Sequence, residues 1–209
     1  QIVAFGHPFL KHGSANYFMH NANIFTVVKS YESAFKLGSM GSEIGTVTED
    51  RGAGIAGVSG VISSGIPMRF NLIDLDMGRD TVSNVKVIED KEMTPTLAAT
   101  SLYNMLNKTL DRSGSGTATI SYTITPRNKN LKSLTRTNMF YSSDSISEKT
   151  VDEFYNVIDV LMNNRFIDYE ITDIQVKTKV TQDKKTAKLI DATASSTIVS
   201  PGDTIVIDV

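Results

Sequence analysis

Short apolar runs separated by turn-forming residues fill the first 88 positions of the chain. The runs lie at residues 24–28, 44–47, 55–62 and 68–75, with Gly, Ser, Asn and Asp between them. Short strands with frequent turns are typical of a β-barrel or sandwich. Eight glycines fall within residues 38–65, where they permit positive φ angles and close backbone approach. The pattern therefore predicts a β-rich, barrel-like N-terminal part.

Helical periodicity appears twice in the rest of the chain. A Thr-Pro pair precedes apolar positions at helical spacing and predicts a helix over residues 95–111. Thr150 and Glu153 form a capping-box pair that predicts a second helix, from Thr150 to about residue 165. The chain thus combines two helices with strands, as an α+β protein does.

Alternation of apolar and polar residues predicts the strands of this second part. Residues 117–125 and 174–180 alternate regularly, and a polar, basic connection follows the first of these segments as far as Tyr141. Two further strands are expected, one on each side of the Ser-Pro-Gly-Asp turn at residues 200–203. The predicted fold class is α+β, with a barrel-like N-terminal part followed by two helices and several antiparallel strands.

A charged connector at residues 89–93 marks the change of pattern. It divides the chain into residues 1–88, a β-rich segment, and residues 89–209, an α+β segment of unknown role.

Composition removes several classes of function. The 209 residues carry 21 basic and 23 acidic side chains, which excludes the general electrostatic attraction of a DNA-coating or membrane-surface protein. There is no cysteine, so disulfides, thiolate nucleophiles and cysteine-bound zinc are excluded. No apolar run approaches the roughly 20 residues that span a bilayer. No glycine-rich phosphate-binding motif occurs, and we predict no cofactor.

The three histidines are the first candidates for acid–base or metal chemistry. Their spacing, at His7, His12 and His20, fits no compact metal-binding signature, so we predict no metal site. His7 differs from the other two because Gly6 and Pro8 flank it and fix a transition from strand to turn. A barrel would present this imidazole to a cleft, where it would suit a general base.

A nucleophile for such a base has to be Ser or Thr. Ser59, in the string Gly-Val-Ser-Gly, imitates the turn of a serine hydrolase, but the same string is equally a strand with glycines, and we favour the strand. Asp50 could orient a histidine as a triad acid. The more ordinary interpretation of Asp50 is a local turn or an ion pair with a nearby arginine.

A basic stripe with adjacent aromatic residues follows the strand at 117–125. Such a stripe could hold single-stranded nucleic acid, but the chain is acidic overall and lacks an RNA-binding signature, so we favour a solvated loop and predict no nucleic-acid partner. The stripe consists of Arg127, Lys129, Lys132 and Arg136, followed by Phe140 and Tyr141.

Three blocks of the first half, in this order, resemble the SpoIVB peptidase family. They are AFGHPF at residues 4–9, SAFKLG at 33–38 and IGTVTEDRGAGIAG at 44–57. The resemblance covers about residues 1–65. It implies a bacterial serine peptidase of the trypsin-like β-barrel type, acting outside the cytoplasm, whose best-known member signals during spore formation.

The resemblance transfers one residue role to this chain. His7 matches the family's catalytic histidine, the general base that takes the proton of the serine. The family's serine lies in a Gly-Met-Ser-Gly-Ser-Pro-like motif that these 209 residues lack, and Ser59 is not its counterpart. The triad acid lies outside the matched blocks, so none is assigned. The resemblance therefore implies a peptidase fragment that is inactive by itself. The alternative is a non-catalytic extracytoplasmic binding or structural domain.

Both ends of the sequence read as strands. Gln1 precedes an apolar run, and the last residues are still apolar, so we expect neighbouring residues of a longer precursor to complete the sheets. The expected partners are a polypeptide substrate or the missing part of the precursor. Open sheet edges also predict dimerisation or strand exchange. The resemblance implies an extracytoplasmic location.

Overall fold

The computed structural model describes residues 1–5 and 8–209 of the chain. Strands and helices follow one another in these ranges in the order β1 (Ile2–Phe5), β2 (Gly13–Val28), β3 (Phe35–Arg51), β4 (Gly54–Ser59), β5 (Ile66–Asp74), β6 (Arg79–Val87), α1 (Met93–Leu110), β7 (Gly116–Pro126), β8 (Leu134–Ser142), α2 (Ile146–Asn163), β9 (Ile171–Thr181), β10 (Thr193–Ala194) and β11 (Ile207–Asp208).

The first sheet is antiparallel and has the strand order β1-β4-β3-β2. Strands β2 and β3 are much longer than their neighbours. Strand β4 pairs with β3 only at residues 45–51, so the far parts of β2 and β3 extend beyond it as a two-stranded ribbon. Strands β1 and β2 lie at opposite edges of the sheet.

The second sheet has the order β6-β5-β9-β7-β8, with β5 and β9 parallel and the other neighbours antiparallel. Strands β5 and β7 alternate between buried and more exposed residues, as expected for a sheet that is covered on one face. In β5, for example, Ile66, Met68, Phe70 and Leu72 are buried while the residues between them face the other side.

Both helices cover the apolar face of the second sheet. Helix α1 packs on β5 and β6, α2 packs on β7 and β8, and the two helices contact each other. The core between these layers contains Leu102 of α1 and Phe154 and Ile158 of α2, all fully buried. The ring of Phe154 meets Tyr122 of β7 edge-on, with 5.3 Å between ring centroids.

Helix α1 confirms the prediction and begins two residues earlier than expected. The carboxylate of Asp90 accepts hydrogen bonds from the N–H groups of Glu92 and Met93, both at 2.9 Å, and so satisfies two donors of the first turn. Thr94 lies inside that turn. The helix ends at Leu110, and its C-cap, Asp111, adopts the left-handed conformation with φ 51°.

The predicted start of the second helix at Thr150 is wrong. Helix α2 begins at Ile146, and the side chain of Ser145 accepts the N–H of Glu148. Thr150 is buried inside the helix, where its hydroxyl donates to the carbonyl of Ile146 at 2.6 Å. The Ser-x-x-Glu pattern at Ser145 therefore caps the helix about one turn before the Thr-x-x-Glu pattern at Thr150.

The polar connection before Tyr141 is largely a strand. Strand β8 pairs with β7 from Leu134 to Ser142. The polar side chains of β8 extend the solvated face of the sheet. Strands β7 and β9 confirm the predicted strands at 117–125 and 174–180.

The α+β class is confirmed. Within residues 1–5 and 8–209 neither large sheet closes into a barrel, because no ladder joins the edge strands β1 and β2 or β6 and β8. This corrects the barrel-like description of the N-terminal part. Strands β5 and β6 precede residue 88, but they belong to the second sheet because β9 pairs with β5. The chain therefore passes from the first sheet to the second between Ser59 and Ile66.

Two glycines are required where chain segments approach closely. At Gly54, with φ 151°, a Cβ atom would lie 2.4 Å from the carbonyl oxygen of Ala4 in β1. At Gly65, with φ 56°, it would lie 2.5 Å from the ring of Phe18. Neither position accepts a side chain without strain.

We expect Leu102→Ala to lower the free energy of unfolding by about 2–5 kcal/mol, because it leaves a cavity under α1. The same change at exposed Leu189 removes no buried contact and is expected to alter stability by no more than ~0.5 kcal/mol. Urea unfolding monitored by circular dichroism measures both. Equal losses in the two variants would contradict the assigned core.

Candidate functional site

The candidate base, His7, lies outside the described residues. The structure describes the chain on both sides of it. Strand β1 ends at Phe5, whose backbone pairs with Gly54 of β4, and the chain continues at Pro8 into a short loop. The loop is attached to β3 by Asp50.

Asp50 binds three consecutive backbone N–H groups of this loop. Its Oδ1 accepts from Phe9 at 2.9 Å, and its Oδ2 accepts from Leu10 at 2.7 Å and from Lys11 at 2.9 Å. The Asp50 side chain is fully buried. Hydrogen bonds from N–H groups to a carboxylate are among the stronger ones in proteins. They fix the segment that begins two residues after His7.

Burial by itself raises the pKa of Asp50, but the three N–H bonds outweigh burial, and the pKa lies below its ordinary value. The side chain is therefore a carboxylate at neutral pH. The neighbouring Arg51 pairs with Glu49 at 2.8 Å and not with Asp50. Asp50 thus clamps a loop 39 to 41 residues away in sequence, rather than forming a local turn or an arginine ion pair.

The loop has one strained residue. Lys11 adopts φ 62°, a conformation that costs non-glycine residues free energy and persists where the surroundings impose it. The Lys11 N–H is one of the three donors to Asp50. The clamp therefore holds the loop in a shape that its sequence alone does not favour.

A second cluster lies directly after this loop. The ring nitrogen Nδ1 of His12 is 3.3 Å from Oδ2 of Asp90, and Nε2 is 3.2 Å from Oε2 of Glu92. The hydroxyl of Tyr17, from β2, donates to the same Asp90 oxygen at 3.0 Å. The cluster joins the loop, the first sheet and the start of α1. The ring of Phe9 also meets Tyr17 edge-on, at 5.8 Å between centroids.

The cluster shifts the pKa values of buried Tyr17 and partly buried Asp90. Burial, with Asp90 as a second cause, raises the pKa of Tyr17 to about 12. Burial also acts to raise the pKa of Asp90, but the N–H groups of Met93 and Glu92 and the side chains of Tyr17 and His12 lower it below its usual value. Asp90 is therefore an anion and Tyr17 a neutral donor at pH 7.

This arrangement stabilises the fold and does not form a catalytic pair. The ring of His12 faces two carboxylates, and among the described residues it makes no hydrogen bond to a serine or threonine hydroxyl. A protonated imidazole can donate to both acids, whereas nucleophilic catalysis needs a hydroxyl beside the base. His12 thus tethers the loop to the helix.

The other sequence candidates are placed apart from this cluster. Ser59 ends β4, and its hydroxyl lies 3.4 Å from the carbonyl of Ile44, as expected for a strand residue. His20 lies on β2, with Nδ1 3.0 Å from the carbonyl of Gly41 on β3. Neither side chain is hydrogen-bonded to Asp50.

Ion pairs within the chain engage two residues of the basic stripe. Arg127 pairs with Glu89 at 2.8 Å and with Glu170 at 2.6 Å, and Arg136 pairs with Glu153 of α2. Two of the four cations are therefore neutralised within the chain. These pairs reduce the positive charge that the stripe could offer to a nucleic-acid backbone.

An apolar depression of about 210 Å³ lies beside the end of β1. It is formed by Val3 and Phe5 of β1 and by Ile55 and Ala56 of β4, among other residues. Phe5, one of its walls, precedes the Gly6-His7 dipeptide in sequence. The depression is large enough for a single apolar side chain.

The described residues include no group of three or more His, Cys, Asp or Glu side chains that could hold a metal ion. Neither α1 nor α2, the helices of residues 1–5 and 8–209, is long and apolar enough to cross a membrane.

The local sequence does not indicate that Tyr17, Asp90 and Glu92 form a cluster, because Tyr17 lies on β2 and the two acids lie at the start of α1. One signal was available for Asp90, since an Asp that precedes a helix commonly accepts the free N–H groups of the first turn. Nothing in the local sequence indicates that Tyr17 and His12 meet this Asp, because more than 70 residues separate them.

We expect Asp90→Asn to lower stability by roughly 1 kcal/mol at pH 7, since charged acceptors form stronger hydrogen bonds than neutral ones. Folding lowers the pKa of Asp90. The stabilisation from its charge is therefore fully present above the ordinary Asp pKa of about 3.9, and it is lost as the pH falls through the pKa of the folded state. The difference from wild type should therefore shrink at pH 3. Urea unfolding at pH 7, 5 and 3 measures it.

Asp191→Asn, at an exposed position, is the control and should have little effect at any pH. A deficit of Asp90→Asn that is the same at pH 7 and pH 3 would exclude the charged role of Asp90.

Comparison with protein-family models finds none that matches the chain. Comparisons with curated proteins and with solved structures find no match either. The functional assignment therefore depends on the residues and contacts described above.

Proposed function

We propose that this chain carries the general-base histidine of a SpoIVB-type serine peptidase, and that the nucleophilic serine comes from residues outside these 209. His7 is the proposed base. The single observation that carries the proposal is the Asp50 carboxylate, which binds the three backbone N–H groups of residues 9–11.

A general base has to be held at hydrogen-bond distance from the proton that it removes, and small displacements cost large factors in rate. The chain on each side of Gly6 and His7 is anchored. Phe5 pairs with Gly54 in the first sheet, and Phe9 is bonded to Asp50. These two anchors, on either side of His7 in sequence, support the role of general base, for which position is critical.

The proposed substrate is a polypeptide. In the reaction, His7 takes the proton of the serine hydroxyl, the serine oxygen attacks the peptide carbonyl, and the imidazolium then protonates the leaving amine. Without the serine no acyl-enzyme forms, so these 209 residues alone have no peptidase activity. The apolar depression beside Phe5 suits an apolar substrate side chain. An extracytoplasmic location is part of the same proposal.

A second candidate function is a non-catalytic extracytoplasmic binding or structural domain. Two observations favour it: the sequence lacks a Gly-x-Ser-Gly-Ser-Pro element, and the first sheet exposes many large apolar side chains. The two candidates differ in whether the full-length gene product contains a reactive serine.

A fluorophosphonate probe, which reacts with activated serines, tests the proposal. The 209-residue chain should not be labelled, and the full-length gene product should be labelled at a serine outside it. His7→Ala in the full-length protein should reduce the labelling rate by at least ~100-fold, because the serine loses its base. Asp50→Asn should reduce it by roughly 10- to 100-fold through misplacement of the loop.

His20→Ala is the matched control, because His20 is bonded within the β2–β3 ribbon, and its labelling rate should equal that of wild type. An unlabelled full-length protein would favour the non-catalytic candidate. Labelling of the 209-residue chain would show that the reactive serine lies within it, which contradicts the proposal.

A further inference from the structure

The second sheet has a polar face on the side that the helices do not cover. Alternate residues of β5, β9 and β7 belong to this face. The strand register places six of them in two neighbouring rows across the sheet, with Asn71, Lys177 and Ser121 in one row and Arg69, Gln175 and Thr123 in the next. We call these two rows the polar platform. They line an open depression of about 350 Å³.

The polar platform carries two cations without a counter-charge. Arg69 and Lys177 make no ion pair with any residue in the described ranges, whereas Arg127 and Arg136 both pair with acids. Of the described residues that line the depression, none is Asp or Glu. Two cations on neighbouring strands repel each other. An anion bound between them would remove this repulsion.

The two cations can reach one bound group. Neighbouring strands are about 4.8 Å apart, and residues two apart on a strand are separated by about 6.7 Å. The backbones of Arg69 and Lys177 are diagonal neighbours in the register, so their Cα atoms are about 8 Å apart. Both side chains are long and exposed. They can therefore converge on a single anion above the sheet.

Two pairs of hydroxyl groups lie beside the cations. The hydroxyl oxygens of Ser121 and Thr137 are 2.9 Å apart, and those of Thr123 and Thr135 are 3.1 Å apart. Each pair shares one hydrogen bond, so one of its two hydroxyl protons remains available to another acceptor. The polar platform thus offers neutral donors in the same rows as its charged ones.

Asn71 provides an acceptor in the same place. Its side-chain oxygen is removed from water and has no hydrogen-bond partner among the described residues. Buried polar atoms are nearly always bonded, so an unpaired one calls for an explanation. A ligand hydroxyl would donate to this oxygen, whereas a sulfate or carboxylate anion has no proton to donate. The ligand that fits the polar platform therefore carries a hydroxyl group as well as an anion.

We propose that the polar platform binds a phosphorylated polyol. Its phosphate would lie on Arg69 and Lys177, and its hydroxyls would bond to Asn71 and to the two hydroxyl pairs. A phosphate monoester carries a charge of about −2 at neutral pH, which matches the two cations. Its three terminal oxygens can accept from a guanidinium, an ammonium and a hydroxyl group together. This inference is independent of the proposed peptidase function.

The shape and chemistry of the depression support a small ligand. Its volume lies within the range of small-molecule sites, which begins at about 300 Å³. Single-stranded nucleic acids stack their bases on aromatic side chains. Tyr122, the aromatic residue among those that line the depression, is buried, and its ring packs on Phe154 in the core. The polar platform therefore offers no ring to a base.

Titration of the full 209-residue chain with glucose 6-phosphate, followed by amide chemical shifts, tests the proposal. Amides near residues 121–123 and 175–177 should shift, with a dissociation constant below about 5 mM. Arg69→Gln and Lys177→Gln should each raise this constant at least ~10-fold, because each removes a charged donor to the phosphate. Arg165→Gln, at another exposed arginine, is the matched control and should bind like wild type.

Two further probes separate the parts of the ligand. Glucose lacks the phosphate and sodium sulfate lacks the hydroxyls, so each should bind at least ~10-fold more weakly than glucose 6-phosphate. Asn71→Ala should weaken the binding of glucose 6-phosphate and leave that of sulfate unchanged. Circular dichroism should be the same for all variants, since these side chains lie on the solvated face.

Glycerol 3-phosphate is titrated in parallel, because the contact of the phosphate with two cations is common to all phosphorylated polyols. The proposal would be overturned if neither phosphate shifted the platform amides at about 20 mM, or if Arg69→Gln and Lys177→Gln bound glucose 6-phosphate as tightly as wild type. Equal affinities for sulfate and glucose 6-phosphate would refute a hydroxylated ligand. Tighter binding of a poly-glutamate peptide at the same amides would make an acidic polypeptide the partner instead.

Discussion

The carboxylate of Asp50 is the contact on which the site depends. It lies at the end of β3, is removed from water, and accepts the N–H groups of Phe9, Leu10 and Lys11. A buried carboxylate without such partners would cost considerable free energy. The loop and the aspartate therefore stabilise each other. The hydrogen bonds to Asp50 hold the loop in a conformation that is strained at Lys11. The loop in turn supplies the three N–H donors that the buried carboxylate needs.

A second aspartate extends this attachment to the rest of the chain. Asp90 caps α1 with one oxygen and binds Tyr17 and His12 with the other. The loop after His7 is thus connected through His12 to the helix that covers the second sheet. Two carboxylates with lowered pKa values hold the N-terminal sheet, the loop and the helix together, and this attachment weakens in acid.

Periodicity predicted the parts of the fold that depend on local burial. Alternation located β7 and β9, and helical spacing located α1 to within two residues. The barrel-like description of the N-terminal part was wrong, because strand partners are set by non-local pairing that periodicity does not encode. Asp50 was identified as a candidate, but its three backbone donors lie about 40 residues away. A short-range pattern cannot indicate that contact, nor the meeting of Tyr17 with Asp90.

Amide hydrogen exchange at residues 9–11 tests the central claim most directly, namely that Asp50 holds the segment that follows His7. The account predicts that the amides of Phe9, Leu10 and Lys11 are protected in the wild-type chain, and that Asp50→Ala removes this protection while amides of β7 remain protected. Exchange of these three amides at the rate of an unstructured peptide in the wild-type chain would contradict it.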